Sequence, residues 1–72
     1  MENLIEEILT QLIEEAFELK ANATDDFKIG ELFGYYATIS KILNQTEAFG
    51  IFDKLPENLQ DFSPENLLNK IN

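Results

Sequence analysis

Apolar residues recur at alternating intervals of four and three along the first third of the chain. The series is Ile5, Leu9, Leu12, Ala16, Leu19 and Ala23. This spacing keeps one face of an α-helix apolar, because a helix makes one turn every ~3.6 residues. Four more apolar residues widen that face on both sides: Leu4, Ile8, Ile13 and Phe17. We therefore predict an amphipathic helix over residues 2–22, with an apolar arc wide enough to contact more than one neighbour.

A second apolar series follows a short polar break. Its members, at alternating intervals of three and four, are Ile29, Leu32, Tyr36, Ile39 and Leu43. Thr24 or Asp25 can cap the start of this segment by accepting from free backbone N–H groups. Gly50 is placed to end it in the left-handed conformation. We predict a helix over residues 25–49, and the short connection makes the two helices antiparallel neighbours.

Residues 51–72 form a tail in which Pro-Glu-Asn-Leu occurs twice, beginning at Pro56 and at Pro64. Ser63 suits the N-cap position and Pro64 the first turn of a helix. We predict a short helix over residues 64–71. Eight apolar residues of the tail are expected to pack on the hairpin: Ile51, Phe52, Leu55, Leu59, Phe62, Leu67, Leu68 and Ile71.

The predicted fold is all-α, with residues 1–72 as a single domain. It is a long antiparallel helical hairpin plus a C-terminal tail with a short third helix. The chain has no Val, and its Ile residues fall at helical spacing, which excludes an all-β fold. Leu, Ile and Phe make up 24 of the 72 residues, a rich apolar supply for so short a chain. We therefore expect a homodimer in which two hairpins form a four-helix bundle.

The charge is strongly negative, with 5 basic and 14 acidic residues and a net charge of −9. Nucleic-acid binding needs basic clusters to neutralise phosphates, so we expect no nucleic-acid partner. No apolar run approaches the ~20 residues of a membrane span, and we expect no membrane partner. Residues 1–7 lack the basic start of a secretory signal, so a cytoplasmic location is expected. Seven Asn, with no Arg, hint at an AT-rich bacterial or phage genome.

The absence of Cys and His removes the usual nucleophile, general base and soft metal ligands. Catalytic triads and Glu-x-x-His di-iron sites cannot be built without these residues. No phosphate-binding G-x-x-x-x-G-K loop is present either. We expect no enzymatic activity, no cofactor and no metal.

One acidic segment resembles a known enzyme motif. Glu14, Glu15 and Glu18 form an E-E-x-x-E pattern. It resembles one half of the magnesium site of the MazG-type nucleotide pyrophosphohydrolases, which are all-helical and add an E-x-x-D motif on a following helix. The resemblance covers five residues, and none of the later Glu residues has Asp three positions on. It implies a magnesium-dependent phosphate enzyme as an alternative function.

Glu7, Glu14 and Glu18 lie within about 40° of each other on a helical wheel of the first helix. Glu14 and Glu18 are like charges one turn apart, which is mildly destabilising. Two interpretations are open. The strip is either a solvated polar face or a docking strip for a basic partner.

Gly30 and Gly34 lie one turn apart inside the second helix, where each glycine costs about 1 kcal/mol relative to Ala. They either tolerate exposure or allow close contact with another helix, from the tail, a dimer mate or a partner. Tyr35, beside them, lies nearer the edge of the apolar arc than Tyr36. It is either a rim residue of the core or an interface residue.

These observations favour a small acidic cytoplasmic protein that acts as a non-enzymatic protein–protein interaction or regulatory module. An acidic inhibitor or immunity-type antagonist of a basic partner is an alternative. The candidate interaction residues are Glu7, Glu14, Glu18, Gly30, Gly34 and Tyr35.

Overall fold

The computed structural model describes the backbone of residues 2–69 and the side chains of residues 4–69. Two long helices, α1 (Glu2–Ala21) and α2 (Asp26–Ala48), pack against each other as an antiparallel hairpin. The molecule measures 37 × 18 × 17 Å. No strand occurs between residues 2 and 69. The predicted all-α hairpin is confirmed.

Local sequence signals set both ends of α2. At its start, the Asp25 carboxylate accepts a hydrogen bond from the backbone N–H of Lys28 at 2.8 Å. At its end, Gly50 has φ 73°, in the left-handed region where a side chain is disfavoured. The backbone N–H of Ile51 then donates to the carbonyl of Thr46 at 2.9 Å, a bond typical of the Schellman motif. This closure turns the chain sharply into the tail.

The tail packs along one side of the hairpin. It contains a 3-10 turn (Phe52–Lys54), the one-turn helix α3 (Glu57–Gln60) and a second 3-10 turn (Pro64–Leu67). Leu55, Leu59 and Leu67 are buried in the core. The Lys20 ammonium donates to the carbonyl of Asn66 at 2.6 Å, which ties the end of α1 to the second 3-10 turn.

The tail segment predicted as a helix over residues 64–71 is shorter and tighter in the structure. Residues 64–67 form the second 3-10 turn, in which the Asn66 N–H donates to the Ser63 carbonyl. The Ser63 hydroxyl donates to the Glu65 carboxylate at 2.6 Å instead of capping a backbone N–H. Residues 70 and 71, and with them the predicted contact of Ile71, lie outside the described part.

The core lies where α1, α2 and the tail meet. Its buried apolar residues are Leu9, Ala16, Leu32, Ile39, Leu43, Leu55, Leu59 and Leu67. Thr46 is buried with them, and its hydroxyl donates to the Leu43 carbonyl at 2.7 Å. The wide apolar arc of α1 therefore does contact two neighbours, α2 and the tail. Within residues 2–69, no helix is both long enough and apolar enough to cross a bilayer.

Candidate functional site

A helical hairpin has two broad sides, and the tail covers one of them. Phe62 of the tail packs edge-on against Phe17 of α1, with ring centroids 6.1 Å apart. On α2, a shallow depression beside the tail is lined by residues that include Tyr36 and Ser40. We call the opposite side of the hairpin the open face. Ile8 lies on it, about 180° around α1 from Phe17.

The open face carries an apolar groove at the end where α1 begins and α2 ends. The groove has a volume of about 740 Å³. Its lining residues are Ile5, Lys41, Ile42, Gln45, Thr46, Phe49 and Ile51. Leu4 and Ile8 extend its apolar surface on α1, one helical turn apart. Phe49 is 76% exposed and Ile8 41%, so the groove is a surface that residues 4–69 leave uncovered.

Tyr35 connects the two helices at the middle of the open face. Its hydroxyl donates to the Glu15 carboxylate of α1 at 3.0 Å. This hydrogen bond raises the pKa of Tyr35 above 10.0, and desolvation and the negative charges of Glu15 and Glu31 raise it further. Glu15 of α1 thus contacts the hydroxyl directly, and Glu31 lies one helical turn before Tyr35 on α2. The face is acidic at this level, in contrast to the groove.

The acidic strip of α1 points into solvent. Glu7, Glu14 and Glu18 are all exposed. The Gln11 amide between them donates to the Glu7 carboxylate at 3.4 Å. The structure thus places the three carboxylates on an outer surface of α1, where both interpretations of the strip remain open.

Within residues 4–69, the two glycines of α2 make no close contact with another element. Gly30 and Gly34 are exposed, and a Cβ added at either would meet nothing within 4 Å. Close packing of tail residues 51–69 against these glycines, one of the sequence interpretations, is therefore wrong. The reason is that this part of the tail packs against the side of α2 that carries Tyr36 and Ser40. Contact of the glycines with another chain stays a prediction.

The acidic motif at residues 14–18 does not form a ligand cluster. Glu14, Glu15 and Glu18 are all exposed to solvent, and the Glu15 carboxylate accepts a hydrogen bond from Tyr35. Among the side chains of residues 4–69, no three acidic groups lie together as metal ligands would. The geometry thus gives the magnesium alternative no added support.

Sequence reasoning missed the apolar groove and the Glu15–Tyr35 hydrogen bond. A signal for the bond was present, because Glu15 falls between Leu4 and Ile8 on the helical wheel, at the apolar margin. The groove had only an indirect signal, the excess width of the apolar arc. No family model, curated protein or solved structure matches this chain. The four-helix-bundle homodimer also stays a prediction, because the structure is that of one chain.

Proposed function

We propose that this protein is a non-enzymatic protein–protein interaction module that binds its partner through the open face. The observation that carries the proposal is the apolar groove, with Ile8 and Phe49 exposed beside a fully formed core. Exposed apolar patches with polar residues around them are a common form of protein–protein interaction site. The proposal includes a cytoplasmic location, which cell fractionation with an antibody against the chain tests.

The two sides of the hairpin explain why a partner is needed. On the tail side, the chain supplies its own cover, since Leu59 and Leu67 fill the space between the helices. On the open face, Ile5 and Ile42 are only half-buried, and Ile51 is the one residue of the described tail, up to residue 69, that lines the groove. A segment from another protein could complete this side much as the tail completes the first.

The test is affinity capture from the source cells with the tagged full chain as bait. The wild-type chain is compared with Ile8→Glu, which puts a charge beside the groove, and with Phe33→Glu as the matched control. Phe33 is 51% exposed, similar to the 41% of Ile8. It lies about 160° around α2 from Phe49, well away from the groove.

We expect the wild-type chain and Phe33→Glu to retain the same partner and Ile8→Glu to lose it. Circular dichroism would check that both variants keep the helical content of the wild type. Equal retention by all three baits would contradict binding at the open face. So would equal loss from both variants.

An acidic antagonist is a second candidate function, favoured by the exposure of the strip on α1. Glu7, Glu14 and Glu18 all face solvent, and a basic surface could neutralise them. In this case a bait with all three changed to Gln would lose its partner, whereas Ile8→Glu would retain it. The two candidates therefore predict opposite results for Ile8→Glu.

A further inference from the structure

The open face is divided along its length into an apolar end and an acidic end. The apolar end is the groove around Ile5 and Ile42. Glu15 lies ten residues beyond Ile5 along α1, about 15 Å farther along the hairpin. Glu31 is similarly displaced from Ile42 along α2. A partner lying lengthwise would therefore meet apolar surface first and carboxylates second.

The charges at the acidic end come from both helices. Glu15 accepts the hydrogen bond of the Tyr35 hydroxyl at 3.0 Å, and Glu31 lies one helical turn before Tyr35 on the same face of α2. Glu18 lines a shallow depression with Glu15, and the half-buried Lys28 also lines it. Three carboxylates against one ammonium leave this end net negative, within a chain of net charge −9. Positive charge on a partner would be attracted here.

The groove carries a positive charge. Among its described lining residues, Lys41 is the charged one. Basic residues of a partner would be repelled by Lys41 and attracted by the carboxylates about 15 Å away. The pattern thus specifies the orientation of a partner as well as its composition.

A second copy of this chain fits the same face poorly. Pairing the apolar ends of two copies face to face, with their long axes side by side, would also set the acidic ends of both copies against each other. Overlapping the apolar ends alone avoids this repulsion but leaves the acidic end of each copy without positive charge opposite it.

We propose that the occupant of the open face is a basic amphipathic helix from another protein, with its apolar half in the groove and Lys or Arg side chains opposite Glu15 and Glu31. This inference rests on the proposed function and specifies its partner. A helix of about 20 residues spans about 30 Å and would run along most of the hairpin. Its apolar residues would repeat at the intervals of one helix face, as in other helix-in-groove complexes.

The experiment uses two synthetic 20-residue amphipathic peptides and the full chain. Both peptides carry the same leucine stripe in one half, and the other half carries Lys in one peptide and Glu in the other. Fluorescence anisotropy gives the Kd of each at low and at moderate salt. We expect the Lys peptide to bind at least about tenfold more tightly than the Glu peptide, with the difference shrinking as salt rises.

Two variants separate a local effect from an effect of net charge. The double variant Glu15→Gln with Glu31→Gln should weaken binding of the Lys peptide by about three- to tenfold. The control, Glu57→Gln with Asp61→Asn, removes the same charge from the exposed surface of the tail. It should leave the Kd within about twofold, since charges beyond a Debye length are largely screened.

Equal affinity of the two peptides, or equal weakening by the two double variants, would overturn the basic-helix inference. An oligomer of the wild type in light scattering that Ile8→Glu dissociates would also overturn it, because the open face would then be occupied by a second copy. The proposed function is judged separately by the capture experiment. A captured partner lost by Ile8→Glu but unaffected by the Glu15 and Glu31 substitutions would leave it standing.

Discussion

Replacing Leu67 by Ala should test how firmly the tail holds one side of the hairpin. Leu67 is fully buried, although it lies in a 3-10 turn near the end of the described chain. Leu→Ala changes at fully buried sites cost about 3–5 kcal/mol, because transfer free energy is lost and a cavity remains. A 72-residue domain has only about 4–11 kcal/mol of total stability. We therefore expect the free energy of unfolding to fall by about 3 kcal/mol and Tm by about 20 °C.

The assay is urea and thermal unfolding followed by circular dichroism at 222 nm. Leu68→Ala is the matched control, since Leu68 is the next residue, of the same type, and only half-buried. Its loss should be less than half that of Leu67→Ala, because less surface is removed from the core. Equal losses for the two variants, or a loss below about 1 kcal/mol at Leu67, would refute the packing described for the tail.

Further outcomes follow from single positions. Gly34→Ala should raise the free energy of unfolding by up to about 1 kcal/mol, because the new Cβ meets no atom and helix propensity improves. Gly50→Ala should lower the free energy of unfolding by about 1 kcal/mol, because φ is positive there. Urea unfolding of both variants measures the two changes, and changes of the same sign would contradict this reasoning. The raised pKa of Tyr35 means that its stabilising contribution is complete below pH 10.0, the unfolded value, and is lost as pH rises through the higher folded value. The tyrosinate absorbance of the wild type minus that of Tyr35→Phe gives the titration of Tyr35, whose midpoint should be raised. Glu15→Gln should lower this midpoint, and a midpoint unchanged by Glu15→Gln would contradict the hydrogen bond. Millimolar Mg²⁺ should give weak, uniform changes in NMR chemical shift. Specific changes confined to residues 14–18 would instead support the magnesium-dependent enzyme.

The helical hairpin was predictable because its signals are local and repeated. The alternating intervals fix which side of each helix is apolar, and Leu9, Leu32 and Ile39 from these series are fully buried. The ends of α2 were predictable for the same reason, since Asp25 and Gly50 act on backbone groups within four residues. Tertiary context did not need to be known for either feature.

The open face was not predictable because its existence depends on where the tail packs. A helical wheel shows that Ile8 and Phe17 flank the apolar arc of α1, but it does not show which flank the tail covers. In the structure the tail covers the Phe17 flank, because Phe62 of the tail contacts Phe17. The roles of Gly30 and Gly34 were not predictable for the same reason, since only the fold shows which side of α2 contacts α1 and the tail.

The tail was only partly predictable because its segments are too short to carry a periodic signal. Leu55, Leu59 and Leu67 were expected to pack on the hairpin, and they do. The type of helix was not determined by sequence, since a single turn starting at Pro64 can close with 3-10 or α-helical bonds. Packing of Leu67 into the core is the tertiary constraint on this turn.

The central claim is that the open face is where this protein binds its partner. Its most direct test is methyl NMR of the isoleucine-labelled chain, free and bound to the partner recovered by capture. We expect shifts at Ile5, Ile8 and Ile42 on the open face, with Ile13 on the tail side unchanged. Shifts at Ile13 with the other three unchanged would contradict the claim and move the binding surface to the side that the tail covers.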